Sequence, residues 1–256
     1  MGRSGAVHYA PRGLIGVLTP QANTTVEPEF SILCPAGFAY LNARMTSDKE
    51  TIEARLVDYA VSVEHQLQQF GNAPLDAIAF ATTGASYLIG PEAEDELVAR
   101  MLADRNIPLV TTALAVCDAL AMLKARSVAL VSPYPPDLTT KSVRYWEARG
   151  FEVESVSNQF TDRGEFHPIY AMDADSARRG LRPLASSKAD ALLMLGTGMP
   201  TLPVIASLGQ AWPGPPVLSC MLALVWRAVH AAARTQGSCE DLHAWLSARH
   251  WDYHLK

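Results

Sequence analysis

This sequence lacks paired cysteines. Four occur in 256 residues, Cys34, Cys117, Cys220 and Cys239, and none stands at a C-x-x-C or zinc-like spacing. Neither a disulfide framework nor a metal finger is indicated. Basic runs are missing too: 21 Lys and Arg face 26 Asp and Glu, for a net charge of −5. Phosphate binding needs clustered cations, so nucleic acid is excluded as a partner. No long apolar segment runs unbroken, because Asp118 and Arg227 interrupt the two most apolar stretches, around 109–123 and 216–233. The opening MGRSGAVHYAPRG has no apolar core of a leader. The expectation is a soluble, cytoplasmic chain with no membrane contact. Low-complexity segments and linkers are also absent, and the proline-dense SPYPPD (132–137) reads as a turn at a strand end.

What is present is a core and a repeat. Hydrophobic residues make up 49% of the chain and charged residues 18%, enough for one large domain or two lobes. DAIAFATTGAS (76–86) and DALLMLGTGMP (190–200) are near copies. GLIGVLTP (13–20) and SVALVSPY (127–134) precede them at almost equal distances, and PLVTTALAVCDAL (from Pro108) and PVLSCMLALVWRA (from Pro216) come after. Three paired segments in one order indicate two copies of one unit. Each is a short apolar run closed by Pro, Gly or a hydroxyl residue, the pattern of a parallel strand buried on both faces. Helical patterns lie between them: residues 49–70 place Ile52, Leu56, Tyr59, Ala60, Val63 and Leu67 at helical spacing, and residues 91–104 open with Pro and acidic residues.

The predicted fold is therefore α/β, with two pseudo-symmetric lobes, each a parallel sheet flanked by helices. The first lobe covers 13–122 with a return helix at about 216–236, and the second covers 123–215. Ligands of such sheets bind beyond the carboxyl ends of the strands. Pro20, Thr82–Gly84, Thr111–Thr112, Pro133–Tyr134, Thr197–Gly198 and Ser219–Cys220 all fall there, around a cleft shared by the lobes. These tips are rich in hydroxyls and glycine amides, which suits a carboxylate. Ordinary capping explains the same letters: Thr at the turn is an N-cap, Thr24 and Glu27 have the spacing of a capping box, and Asn23 can simply shape its turn.

The stretch Pro20–Gln21–Ala22–Asn23–Thr24–Thr25–Val26–Glu27, the Ser132–Pro133–Tyr134 tip and the two threonine-glycine tips resemble the aspartate/glutamate racemase superfamily. The likeness is to its branch of maleate cis-trans isomerases and arylmalonate decarboxylases, and it spans about residues 13–230. It implies two lobes with the active site between them, no cofactor, no metal, and chemistry at the carbon beside a carboxylate. Carried across, Asn23 and Tyr134 contact the substrate carboxylate, and Thr83 joins the hydroxyls and amides that hold it. Gly84, Thr197 and Gly198 line the same pocket, with Gly196 at the second tip.

The family's chemistry rests on cysteines at the two equivalent tips, and here those positions are Thr82 and Gly196. A two-thiol racemase is thereby disfavoured, and a standard maleate isomerase with it. Replacements are few. Cys220 reads either as an acid, base or nucleophile or as a small buried hydrophobe. Thr82 has a hydroxyl but needs a neighbouring base to attack. In the loop TDRGEFHPIY (161–170), His167 suits general acid–base work, with Glu165 beside it, and Arg163 suits a carboxylate. A solvated surface loop explains these three equally well. The first reading is a cofactor-independent lyase or isomerase acting beside a carboxylate of a small acid. The alternatives are a hydrolase opening an amide, lactone or lactam, and a non-catalytic carboxylate-binding protein. The expected partner is a small carboxylated substrate, with a homo-oligomer left open.

Overall fold

The computed structural model describes residues 7–161, 168–208 and 212–255. The first half runs β1 (Gly13–Pro20), α1 (Val26–Leu33), β2 (Phe38–Met45), α2 (Ile52–Val61), α3 (Val63–Gln66), β3 (Ala77–Phe80), α4 (Thr83–Arg105), β4 (Leu109–Thr111) and α5 (Thr112–Met122). The second runs β5 (Ser127–Ser132), α6 (Pro136–Ala148), β6 (Glu152–Asn158), α7 (Ala174–Leu181), β7 (Ala191–Met194), α8 (Leu202–Leu208), β8 (Val217–Ser219), α9 (Cys220–Ala233) and α10 (Cys239–Leu246). Among the described residues no helix is long and apolar enough to cross a membrane.

The internal repeat becomes two parallel sheets of one topology, β2-β1-β3-β4 and β6-β5-β7-β8. The continuous apolar runs take the inner places. β1, β3 and β7 are buried along their whole length, and β5 at all but its first residue. A parallel strand with helices on both faces requires this. The edge strand β6, EVESVSN, alternates exposed and half-buried residues instead. The repeated aspartate has a structural role. Asp76 Oδ2 accepts from Leu14 N at 2.8 Å, and Asp190 Oδ2 accepts from Arg126 N at 2.7 Å and Ser127 N at 3.0 Å. Each aspartate thus holds the start of a central strand against its neighbour.

Two helical expectations change in detail. The pattern over 49–70 is one helix in periodicity but is divided at Ser62, whose hydroxyl donates to Asp58 O at 2.6 Å. Such back-bonding bends helices. Beyond the division the chain forms α3 and a 3₁₀ turn over Leu67–Phe70. Pro91 opens the second segment of α4, which kinks at Gly90, where φ is 82°.

Helix α9 crosses over. It leaves the second sheet at Ser219 yet packs on β1, β3, β4, α1 and α5 of the first half. Eleven of its fourteen residues are buried. A Cβ on Gly13 would lie 2.9 Å from Ala232 Cβ, so β1 and α9 are in close contact.

Candidate active site

The strand tips of the two halves meet and are bonded across their junction. Asn23 Nδ2 donates to Thr197 O at 3.2 Å, Thr25 Oγ1 to Gly198 O at 2.7 Å, and Thr197 Oγ1 to Ala81 O at 2.8 Å. Glu29 of α1 accepts from Thr201 N at 2.5 Å and Leu202 N at 3.0 Å, capping α8 of the opposite half. Between the tips lies a hollow of about 30 Å³, room for little more than a water molecule. Pro20, Ile52, Leu56, Thr82 and Gly84 line it from the first half. Tyr134, Ile169, Tyr170, Gly196, Thr197 and Gly198 line it from the second.

Thr82 is the N-cap of α4, but its side chain makes no capping bond. The N-caps after β4 and β8 do bond: Thr111 accepts from Leu114 N and Ser219 from Leu222 N. Among the described residues no side chain accepts from the first-turn N–H groups of α4, at Thr83, Gly84 and Ala85. These donors carry the positive end of the helix dipole. Thr82 and Tyr134 both line the hollow, and the Tyr134 hydroxyl donates to Thr83 Oγ1 at 3.3 Å. Burial raises the Tyr134 pKa above the usual tyrosine range, so its proton stays on at neutral pH.

Gly196 has φ +83°, and a Cβ there would lie 3.2 Å from Tyr134 Oη. Any side chain at this tip, a cysteine included, is strained and crowds the tyrosine. Gly198 lets the Tyr170 ring approach: a Cβ would come within 2.5 Å of it.

Thr82, Gly84, Tyr134, Gly196, Thr197 and Gly198 thus come together around the hollow. Thr83 and Cys220 are buried and do not line it. The Cys220 sulfur is hydrogen-bonded by the Thr83 side chain and the Gly196 backbone, and burial pushes its pKa up to about 12. At neutral pH it is a thiol and not a thiolate. Asn23 does not line the hollow. Its Oδ1 accepts from Thr25 N at 2.8 Å and Val26 N at 3.0 Å, forming the turn into α1, while its amide donates across the junction. That arrangement displaces the expected capping box. Thr24 Oγ1 instead donates to Tyr170 O at 3.4 Å, and Glu27 pairs with Arg44. Arg163, Glu165 and His167 lie outside the described residues.

Ile52, Leu56, Ile169 and Tyr170 were not singled out in the sequence as site residues. The helical spacing of Ile52 and Leu56 marked them only as a packing face, and Tyr170 ends the loop whose charged residues drew attention. No group of three His, Cys, Asp or Glu that could hold a metal ion occurs among the described residues.

Two parallel sheets of one topology that meet tip to tip over a small hollow lined from both halves make up the fold of solved maleate isomerases. The chain belongs to the arylmalonate decarboxylase family, whose model matches residues 15–240. It is 28% identical over 228 residues to the maleate isomerase of Geobacillus stearothermophilus, a match covering 83% of this chain and 89% of the relative. The maleate isomerase of Nocardia farcinica is 28% identical over 220 residues, covering 82% and 86%. The crystal structure of the maleate isomerase of Pseudomonas putida S16 superposes with a TM-score of 0.76 at 23% identity, over 86% of this chain and 92% of that one.

Proposed function

We propose that the hollow breaks or shifts a bond at the carbon beside a carboxylate, and that decarboxylation is the reaction it suits best. The retained carboxylate sits on the open N-terminus of α4, hydrogen-bonded by first-turn N–H groups and by the Thr82 and Tyr134 hydroxyls. Loss of carbon dioxide leaves the bonding electrons on that carbon as an enediolate, and preorganised donors are most effective where such charge develops. The departing carboxylate lies toward Ile52, Leu56 and Ile169, where apolar walls favour neutral carbon dioxide over a charged group. The enediolate carbon then takes one proton, from Tyr134 or from water. The hollow is too small for a substrate as it stands, so admission moves the Ile169–Tyr170 segment outward. Four free cysteines suit a reducing, cytoplasmic compartment.

The observation that carries this reading is the N-terminus of α4, left without its cap and facing a hollow closed by both halves. Decarboxylation is favoured over isomerisation by thiol addition because no cysteine lines the hollow among the described residues. In the Nocardia farcinica maleate cis-trans isomerase, a cysteine-to-serine variant carries a covalently bound succinylcysteine intermediate, and that route needs a thiol at the reacting carbon. The test is turnover of substituted malonates and of maleate in D₂O, monitored by NMR and carbon dioxide release. The expected result is carbon dioxide with one deuterium placed in the product, and a kcat lowered about 10²-fold or more in Thr82→Val and Tyr134→Phe. A product heavier by one water, or tight binding of every acid without turnover, would overturn it.

A further inference from the structure

On the other side of Tyr170 from the hollow lies a second chamber of about 90 Å³, lined by Gln21, Ala22, Arg55 and Tyr59. Ile52, Leu56 and Tyr170 form a wall common to both chambers. Ile52, Arg55, Leu56 and Tyr59 share one face of α2, at the i, i+3, i+4 and i+7 positions. The two chambers differ in charge. Around the inner one, no lining residue carries a permanent charge, whereas the outer one holds the Arg55 guanidinium. Arg55 is half-buried in this lining, and its charge acts on the hydroxyls of both Tyr59 and Tyr170.

Arg55 is also uncommitted. Among the described residues it forms no ion pair, and its only polar contact is a 3.4 Å approach to Lys49 O. Its neighbour Arg44 is fully engaged, paired with Glu27 and donating to Asn23 O at 2.7 Å and Pro20 O at 3.3 Å. A half-buried guanidinium without an acidic partner among the described residues, in the chamber beside the hollow, is arranged to receive an anion. Because the inner hollow has room for little beyond the reacting end, the rest of any bound acid must extend outward along this face of α2.

We propose that Arg55 binds a further anionic group, at the end of the substrate remote from the reacting carbon. It thereby selects acids that span the two chambers. This rests on the function proposed above and narrows its substrate class. Arg55 is a specificity residue and takes no part in bond breaking.

The experiment is equilibrium binding by calorimetry to the full chain and to Arg55→Met, which keeps an apolar stem, and Arg55→Lys. The probes are monocarboxylates (butyrate, pentanoate) and dicarboxylates of matched length (succinate, glutarate). The wild-type chain is expected to prefer the dicarboxylate by about tenfold, an ion pair's worth of affinity. The ratio falls to about one in Arg55→Met, is partly kept in Arg55→Lys, and shrinks as salt is raised. A ratio that is absent in the wild type or unchanged in Arg55→Met, with monocarboxylates still bound, overturns the role of Arg55 alone. Failure of the wild-type chain to bind any carboxylate overturns the proposed function as well.

Discussion

Glu29 is the residue in which the junction between the halves is most exposed to pH. It is buried, 4% exposed, and accepts from two backbone N–H groups of the opposite half. Burial nevertheless dominates and pushes its pKa up to about 7. An acid with a folded pKa above its unfolded value binds more protons when folded, so its contribution to stability is full below about 4.5 and is lost as pH rises toward 7. A shift of this size corresponds to on the order of 3 kcal/mol. Denaturant midpoints measured from pH 5 to 8 should therefore fall across that window. Glu29→Gln keeps an oxygen acceptor for Thr201 and Leu202 and should flatten the dependence. An equally steep fall in the variant would show that another group titrates. None of this was readable in the chain, where Glu29 is one acidic letter in a helix start and its partners lie 172 and 173 positions away.

Among the elements, α4, α5 and α9 each start at the end of a strand yet divide their work. Thr111 and Ser219 cap their helices, and Thr82 leaves its helix open. Thr111→Val and Ser219→Ala should each cost about 1 kcal/mol in unfolding free energy, the usual worth of a cap. Thr82→Val replaces an uncapping hydroxyl by a methyl of similar shape, and should leave stability within about 0.5 kcal/mol while removing activity. Equal losses of stability at all three positions would mean that Thr82 is a structural cap after all. The strands and their tips were legible in the sequence because each is a local apolar run with a local stop, repeated in order. The helix division at Ser62 was not, since the periodicity of Ile52, Leu56, Tyr59 and Val63 continues smoothly across it. Nor was the turn before α1, where the Thr24–Glu27 spacing promised a cap and Asn23 supplied it.

At the scale of the whole molecule, the halves are joined away from the hollow by a second polar cluster. Glu94 of α4, wholly buried, receives Ser86 Oγ at 2.6 Å, the Tyr145 hydroxyl, and Arg149 Nη2 at 2.8 Å from the end of α6. Arg149 also forks onto Asp95 at 2.9 Å. Removing one partner of a buried pair strands the other, so Arg149→Met should lower unfolding free energy by about 3–5 kcal/mol. Urea denaturation measures this directly, and a loss below about 1 kcal/mol would mean water or a neighbour replaces the guanidinium. The sequence showed two similar lobes facing one cleft but not what joins them. Arg149, Glu94 and Tyr145 are scattered charged and aromatic letters until the fold brings them together.

Helix α9 draws a last consequence from the duplication. Its backbone issues from one sheet while its apolar face roofs the other. The first half of the gene therefore encodes an incomplete body, and a cut near residue 123 would leave it with its roof missing. Ancestry by doubling is still written in the strands, but independence of the two copies has been given up.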